Sequence, residues 1–227
     1  MMIINPQHGG FDIRSDHIVD FLPVLSPPEI IEARIRKDKL RAAAIIGKYT
    51  GMRGRSHITM RDNLMHKNAM QIEEQILAWR YKLTAFFPID LCTDGISYFS
   101  NNTGGTIYEG LHDSPLVSLW FCELMRIINS KKSSMVPHIT IVKQVSHKSI
   151  DKLYPEFQGE RETVKFRIDR LTILRRKTYD AESYYEVFRE FKFKNELFTE
   201  QAALKHFPEK YKMRCLPKPE QLKLFKD

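Results

Sequence analysis

The sequence predicts an α+β protein whose strands pair mainly in antiparallel fashion. Apolar runs of strand length alternate with amphipathic segments in the order strand, helix, strand, helix, a cluster of strands, a helix and further strands. The strands of the central cluster are joined by turn-forming residues, which favours hairpins over the crossover units of a parallel sheet. No apolar run reaches the length of a membrane span, and no repeat of solenoid period is visible.

The first third of the chain contains two predicted strands and two predicted helices. "HIVDFLPVL" (17–25) is predicted as a strand because it is apolar and is followed by a Pro-Pro pair. A basic helix begins at Pro28 and ends near Gly47, and "SHITM" (56–60) is the next short strand. Residues 66–84 predict a single amphipathic helix, because apolar side chains recur there every three or four residues.

The rest of the chain is predicted to contain one further helix among six strands. Three short strands, "FFPIDLC", "GISYFS" and "GTIYEGL", are separated by Thr93-Asp94 and by the turn sequence "NNTG". "DSPLVSLWFCELMRIINS" is a helix that is capped by Asp113 or Ser114 and has Pro115 in its first turn. "PHITIVKQV", "TVKFRIDRLTILRR" and "SYYEVFREFKFK" are each predicted as one strand. Residues 17–194 then form the domain, and 1–16 and 195–227 are extensions.

The net charge of +8 is concentrated in two segments. Residues 34–55 contain eight Lys or Arg against one acidic residue, and residues 161–177 contain seven against two. A basic surface attracts polyanions, of which nucleic acid is the commonest in a cell. The alternative interpretation of each run is a solvated helix or strand face.

The N-terminus and the cysteines indicate the cytoplasm. "MMIINPQHGG" lacks the charged start and apolar stretch of a signal peptide. Three widely spaced cysteines, Cys92, Cys122 and Cys215, predict reduced thiols rather than a disulfide framework or a zinc site. We expect a monomer that is not bound to a membrane.

His-Ile-Thr occurs twice, at residues 57–59 and 138–140, which exceeds what the composition predicts by chance. In a strand, residues i and i+2 project to the same face. His57 and Thr59 should therefore project together while Ile58 turns to the core, and the second copy should do the same. If the two strands face each other, one imidazole can accept a proton from an attacking oxygen and the other can donate one to a leaving oxygen of a phosphate.

The two motifs resemble those of the two-histidine (2H) phosphoesterase superfamily, which includes RNA 2′,3′-cyclic phosphodiesterases, also called 2′-5′ RNA ligases. The resemblance extends to "DFLPVLSPPEI", "FPIDLCTDGISYF" and "PHITIVK", and covers about residues 17–194. It implies a bilobal fold in which two antiparallel-rich sheets face a central groove, with helices on the outside. It also implies a metal-independent enzyme without a cofactor that hydrolyses 2′,3′-cyclic phosphate ends of RNA or nucleotides to 2′-phosphates, with the reverse 2′-5′ ligation as a second activity.

The expected catalytic residues are His57, Thr59, His138 and Thr140. The threonines would hold the non-bridging oxygens, and the resemblance implies that His57 protonates the leaving oxygen while His138 activates water. Lys143, Arg55 and Phe99 are expected to bind substrate. Lys143 stands where the family often has Arg, Arg53 and Arg55 precede the first motif where many relatives are apolar, and Asp62 follows it where an aromatic is common. Alternative functions are hydrolysis of a cyclic oligonucleotide in the same groove, or RNA or nucleotide binding without turnover.

Other candidate sites are weaker. No metal site is predicted, because the remaining histidines lack partners at ligand spacing; they include His66, His112 and His147. "NNTGG" is predicted as a hairpin turn and not as a phosphate loop. Tyr98 and Phe99 could stack on a base, with core packing expected for at least one of them. Trp79 and Trp120 are expected in the core.

Overall fold

The computed structural model describes residues 19–60, 64–66, 69–130, 136–159, 161–177 and 184–194. Both predicted extensions, 1–16 and 195–227, lie outside the described residues, as does Asp62. The helices are α1 (Glu29–Ile46), α2 (Ala69–Ala78), α3 (Arg80–Ala85), α4 (Pro115–Ile127) and α5 (His147–Phe157). The strands are β1 (Val19–Leu25), β2 (Ile58–Thr59), β3 (Leu64–His66), β4 (Ile89–Asn101), β5 (Gly104–Leu111), β6 (His138–Val145), β7 (Lys165–Ile168), β8 (Arg170–Lys177) and β9 (Glu186–Lys192).

The strands form two sheets in which every described pairing is antiparallel. The first sheet has the order β2-β1-β8-β9, with β3 also paired to β1, and the second has the order β6-β5-β4-β7. The two strands that carry the His-Ile-Thr motifs therefore belong to different sheets. The predicted fold class, α+β with two antiparallel sheets, is confirmed.

Helix α1 follows the predicted bounds. Pro28 precedes its first residue, and its last turn closes at Gly47, which has φ +81° and whose N–H donates to the Ala43 carbonyl. Its buried face contains three apolar residues and one lysine, namely Ile31, Ile35, Ala42 and Lys39. A lysine in this position is unusual and bears on the site described below.

The predicted single helix over residues 66–84 is wrong, because the chain forms α2 and α3 with a break at Trp79. The Trp79 N–H donates to the Ile76 carbonyl, three residues back, and helical bonding resumes with Leu83 N–H to the Trp79 carbonyl. Periodicity cannot show such a break, because the apolar side chains keep their spacing through it. Trp79 and Trp120 are both in the core, as predicted.

Two strand predictions are also wrong. "FFPIDLC" and "GISYFS" belong to one strand, β4, because the predicted separator Thr93-Asp94 lies in a β-bulge where Gly95 has φ +78°. Conversely, "TVKFRIDRLTILRR" is two strands, β7 and β8, which belong to different sheets and are separated at Asp169. A change of sheet leaves no mark on the apolar pattern.

The remaining sequence predictions can be compared directly. Helix α4 has Ser114 as its cap, and the "NNTG" segment is the turn between β4 and β5, both as predicted. Helix α5 was not predicted; Ser146 caps it, and its apolar side chains Ile150, Leu153 and Phe157 are buried. Cys92 has a free thiol, as predicted. None of the described helices is both long and apolar enough to cross a membrane.

Candidate functional site

The two His-Ile-Thr strands lie side by side although they belong to different sheets. Strand β2 is paired to β1 and β6 to β5, and Cα atoms of β2 and β6 approach within 8 Å of each other. Ile58 and Ile139 are buried, while the histidines and threonines of both motifs remain partly exposed. The structure therefore shows the alternation that the sequence predicts, and it brings the two motifs together.

Both motif imidazoles make the same backbone contact. His57 Nδ1 lies 3.0 Å from the carbonyl oxygen of Arg55, and His138 Nδ1 lies 2.8 Å from that of Val136. A carbonyl oxygen only accepts hydrogen bonds, so each Nδ1 must carry the proton. In the neutral imidazole the basic lone pair is then on Nε2, and in the imidazolium the proton that can be lost is also on Nε2. Both histidines are thus oriented to exchange protons through Nε2.

The surroundings of His57 favour its neutral form. Burial is the main cause that lowers the pKa of His57 below 6.5, although the contact with the Arg55 carbonyl acts in the opposite direction. The positive charges of Lys39, Lys143 and His138 lower the pKa of His57 further.

His138 packs against two aromatic side chains. Its ring centroid lies 5.1 Å from that of Phe99 and 5.0 Å from that of Tyr108, and these two rings stack on each other at 4.2 Å. Phe99 retains 39% of its surface exposed, whereas Tyr108 is buried. Tyr98 contacts Tyr154 of α5, with ring centroids 4.6 Å apart, but it is itself 42% exposed, so the expectation that Tyr98 or Phe99 packs in the core is wrong.

Lys143 is placed beside the motif by a β-bulge. In a regular strand, residues 138 and 143 would point to opposite faces, since they are five positions apart. Thr140 pairs with Tyr108 but Val142 pairs with Ile107, so β6 contains one extra residue. Two consecutive residues, Ile141 and Val142, are buried there. The exposed Lys143 therefore lies on the same face of the sheet as His138 and Thr140.

Arg55 contributes to the site through its backbone. Its carbonyl holds His57, while its exposed side chain forms an ion pair with Glu32 at 3.7 Å. Within the described part of the chain, no contact is seen between the Arg55 guanidinium and either His-Ile-Thr motif. Its predicted role in binding substrate remains a prediction.

Ion pairs with carboxylates involve four of the eight basic residues in segment 34–55 and five of the seven in segment 161–177. Nine arginines form ion pairs with carboxylates: Arg34, Arg36, Arg41, Arg55, Arg161, Arg167, Arg170, Arg175 and Arg176. Charge counting along the sequence cannot show these pairs, because most partners are distant in the chain. The pairing favours the interpretation of both runs as internally compensated surface.

Sequence reasoning missed three groups that surround the site: Lys39, Tyr49 and the buried acid Glu109. Glu109 is fully buried on β5, one residue from Tyr108, and its carboxylate lies 2.6 Å from Arg161 Nη2. Arg161 also binds Asp38 at 2.6 Å, and Arg34 lies 3.7 Å from Glu109. This charged cluster joins α1 to the second sheet, behind the second motif.

Within the described residues no three His, Cys, Asp or Glu side chains are grouped as metal ligands. His147 uses Nε2 to donate to the Asn101 carbonyl at 2.8 Å, which is a structural contact. His112 donates its backbone N–H to the Cys92 carbonyl.

The fold is similar to that of several solved structures. TT0787 of Thermus thermophilus is 14% identical, with a TM-score of 0.53 over 78% of this chain and 100% of its own. E. coli LigT complexed with 3′-AMP is 12% identical, with a TM-score of 0.50 over 77% of this chain and 98% of its own. E. coli LigT complexed with phosphate has the same identity and TM-score, and the match covers 78% of this chain and 98% of LigT. No curated protein matches the sequence significantly.

The family model of the 2′-5′ RNA ligase superfamily matches residues 27–180, which is more than half of the chain. The chain belongs to this superfamily, whose members are 2H phosphoesterases. Membership supports a phosphodiesterase or ligase activity. The matched residues contain both His-Ile-Thr motifs and Lys143.

Proposed function

We propose that this protein is a metal-independent phosphodiesterase that hydrolyses 2′,3′-cyclic phosphates at RNA ends or on nucleotides. The observation that carries the proposal is the matched pair of histidines on adjacent strands of different sheets. Each is fixed by an Nδ1 contact to the carbonyl two residues before it, which leaves Nε2 as the proton-exchanging atom.

The proposed reaction is a single displacement at phosphorus. A neutral imidazole accepts a proton from water through Nε2 as the water oxygen bonds to phosphorus. The bond between phosphorus and the 3′-oxygen breaks, and the other imidazole, in its protonated form, donates its Nε2 proton to that oxygen. The product carries a 2′-phosphate and a free 3′-hydroxyl, and exchange of one proton with solvent at each histidine restores the starting state.

The same two histidines would serve the reverse ligation. If a 5′-hydroxyl of a second RNA replaces water, the same bond to the 3′-oxygen breaks and a 2′-5′ phosphodiester forms. Hydrolysis and ligation then differ only in the nucleophile. The balance between them depends on whether a second RNA end can approach the histidines.

Four further side chains have proposed roles. The Thr59 and Thr140 hydroxyls donate to the non-bridging oxygens, and the Lys143 ammonium offsets the negative charge of the phosphate. Phe99 presents an exposed ring beside His138, on which a base can stack. E. coli LigT, which shares the fold, has been crystallised with 3′-AMP and with phosphate, and ligands of this class suit the proposed groove.

The neutralised arginines favour local recognition of the phosphate end over a long RNA track. Hydrolysis of a cyclic oligonucleotide is the second candidate, because the paired histidines would serve that phosphodiester equally. We expect a cytoplasmic monomer without a cofactor.

A turnover screen tests the proposal. Cyclic mononucleotides, RNA with a cyclic-phosphate end and cyclic dinucleotides are each incubated with the protein in EDTA, and products are identified by mass and by phosphorus NMR. We expect 2′-phosphate products from the first two substrates. Turnover of cyclic dinucleotides alone would favour the second candidate, and binding of RNA ends or nucleotides without any turnover would indicate a non-catalytic binding module.

A further inference from the structure

We propose that Lys39 and Tyr49 form a link that positions His57 against the second motif strand. The proposal rests on the proposed function, because it assigns these two residues to the same site. Neither side chain belongs to a His-Ile-Thr motif, and in the sequence Lys39 is one of eight positively charged residues in the basic segment 34–55. We call the two side chains and their hydrogen bonds the Lys39–Tyr49 link.

Lys39 holds the turn that leads into the first motif. Its side chain is on the buried face of α1 and is 5% exposed. Its ammonium donates to the Gly54 carbonyl at 2.8 Å and reaches the Gly51 carbonyl at 3.5 Å. Gly54 directly precedes Arg55, whose carbonyl oxygen accepts a hydrogen bond from His57 Nδ1–H. Lys39 therefore fixes the backbone that fixes the imidazole.

Tyr49 connects the same helix to the second motif. Its hydroxyl oxygen lies 3.2 Å from the Lys39 carbonyl and 3.2 Å from the carbonyl of Ile141, the residue after Thr140. Burial, reinforced by the charge of Asp38, raises the pKa of Tyr49 to about 12, so the hydroxyl remains a donor at neutral pH. The link thus runs from the turn before His57 to the strand that carries His138.

A lysine is a costly choice for packing alone. Burying an ammonium requires compensating acceptors, and an apolar side chain would fill the same space without that cost. Burial lowers the pKa of Lys39, Glu32 raises it and Arg36 lowers it. The acceptors that Lys39 uses are backbone carbonyls of the turn that sets the position of His57. Its charge is also one of those that lower the pKa of His57.

The test compares Lys39→Met and Tyr49→Phe with the wild-type protein and with Lys37→Met, which removes an exposed lysine from the same helix. Nitrogen NMR of the histidine rings reports which ring nitrogen carries the proton and needs no substrate. In the wild type, neutral His57 and His138 should both be protonated on Nδ1. In Lys39→Met, neutral His57 should populate both tautomers and its pKa should rise. The proton of neutral His138 should remain on Nδ1. Tyr49→Phe should also allow His57 to populate the second tautomer. It should change the pKa of His57 less than Lys39→Met does, because no charge is removed.

Activity gives the second measurement. With the substrate identified by the screen, Lys39→Met should lower kcat by about 10–100-fold, with a smaller change in KM, because orientation of a proton-transfer group is lost. Lys37→Met should match the wild type in both measurements. A folded Lys39→Met with unchanged His57 tautomer and unchanged kcat overturns the link. If Lys39→Met does not fold, an unchanged His57 tautomer and kcat in Tyr49→Phe overturn it. Altered tautomers in a protein that turns over no substrate would retain the link and reject the proposed function.

Discussion

Glu109 offers a test of how the second sheet is held against α1. Its carboxylate is fully buried and lies 2.6 Å from Arg161 Nη2 and 3.7 Å from Arg34 Nη2. Glu156 provides a matched control, because it pairs with Arg41 at 3.1 Å while both side chains are more than half exposed. The perturbation is replacement of each glutamate by alanine.

The two substitutions should differ because of burial. Removing one partner of a buried ion pair leaves a desolvated charge behind and typically costs about 3–5 kcal/mol. Arg161 keeps Asp38 and Arg34 keeps the Glu162 carbonyl at 2.7 Å, so we expect the lower end, about 3 kcal/mol, for Glu109→Ala. An exposed pair contributes about 0–1 kcal/mol, which is the expected loss for Glu156→Ala.

Glu109→Gln separates the charge from the side-chain volume. Burial raises the pKa of Glu109 above 4.5, more than the two arginines lower it, so ionisation of this carboxyl opposes folding. The stability that Glu109 contributes is therefore complete below pH 4.5 and is lost as the pH rises through its raised folded pKa. Relative to the wild type, Glu109→Gln should thus become less destabilised as the pH rises above 4.5. It leaves Arg161 without a carboxylate partner, as Glu109→Ala does, but its amide oxygen can still accept a hydrogen bond, so it should be more stable than Glu109→Ala at pH 7.

Urea unfolding followed by circular dichroism between pH 4 and pH 8 measures these differences. The interpretation is refuted if Glu109→Ala costs no more than Glu156→Ala, since the cluster would then not be a buried network. If Glu109→Gln is as unstable as Glu109→Ala at pH 7, the explanation given for the difference between these two variants is refuted.

Four further predictions concern the site and its support. Lys143→Met should lower kcat/KM by about 10–100-fold, because a charge-assisted contact to phosphate contributes about 1.5–3 kcal/mol, and Lys143→Arg should retain most of the activity in the same assay. The logarithm of kcat/KM should fall with the logarithm of salt concentration at similar slopes for an RNA end and a cyclic mononucleotide; a much steeper slope for RNA would mean that the arginine pairs open to bind phosphates. Turnover should survive EDTA, and loss of activity that zinc or manganese restores would contradict the two-histidine mechanism. Gly104→Ala should lose about 3 kcal/mol in urea unfolding, because φ is +152° and the added Cβ would lie 2.0 Å from the Val145 carbonyl oxygen, while Gly159→Ala, with open space, should match the wild type.

The sequence predicted the motif strands well because local alternation governs them. His-x-Thr around a buried isoleucine needs only the two-residue period of a strand, and both copies follow it. The placement of Lys143 was beyond this reasoning, since it depends on an extra residue in β6. The same limitation applies to Asp169, where the chain changes sheet in the middle of an apolar alternation.

Long-range polar contacts were also beyond the sequence. Lys39 and Glu109 look like ordinary surface charges, and only tertiary packing shows that both are buried. The arginine-rich segments suggested a polyanion partner because their acidic partners, such as Asp20 for Arg176 and Glu109 for Arg34, are distant in the chain. Hydrogen bonds from the histidines to backbone carbonyls leave no sequence signal.

The paired histidines are the central claim, and pH profiles of their variants test it most directly. The wild-type kcat/KM should be bell-shaped in pH, and the limb that belongs to His57 should lie below pH 6.5, since its pKa is lowered.

His57→Ala and His138→Ala should each lose about 10²–10⁴ in rate, and the double variant should be little worse, because the two groups act as a unit. Each single variant should lose one of the two falls in kcat/KM with pH. The histidine whose replacement removes the fall at low pH is the general base. Thr59→Val and Thr140→Val should lower the rate without moving either limb. Folded His57→Ala and His138→Ala proteins that keep near-wild-type turnover would contradict the account and place the chemistry elsewhere.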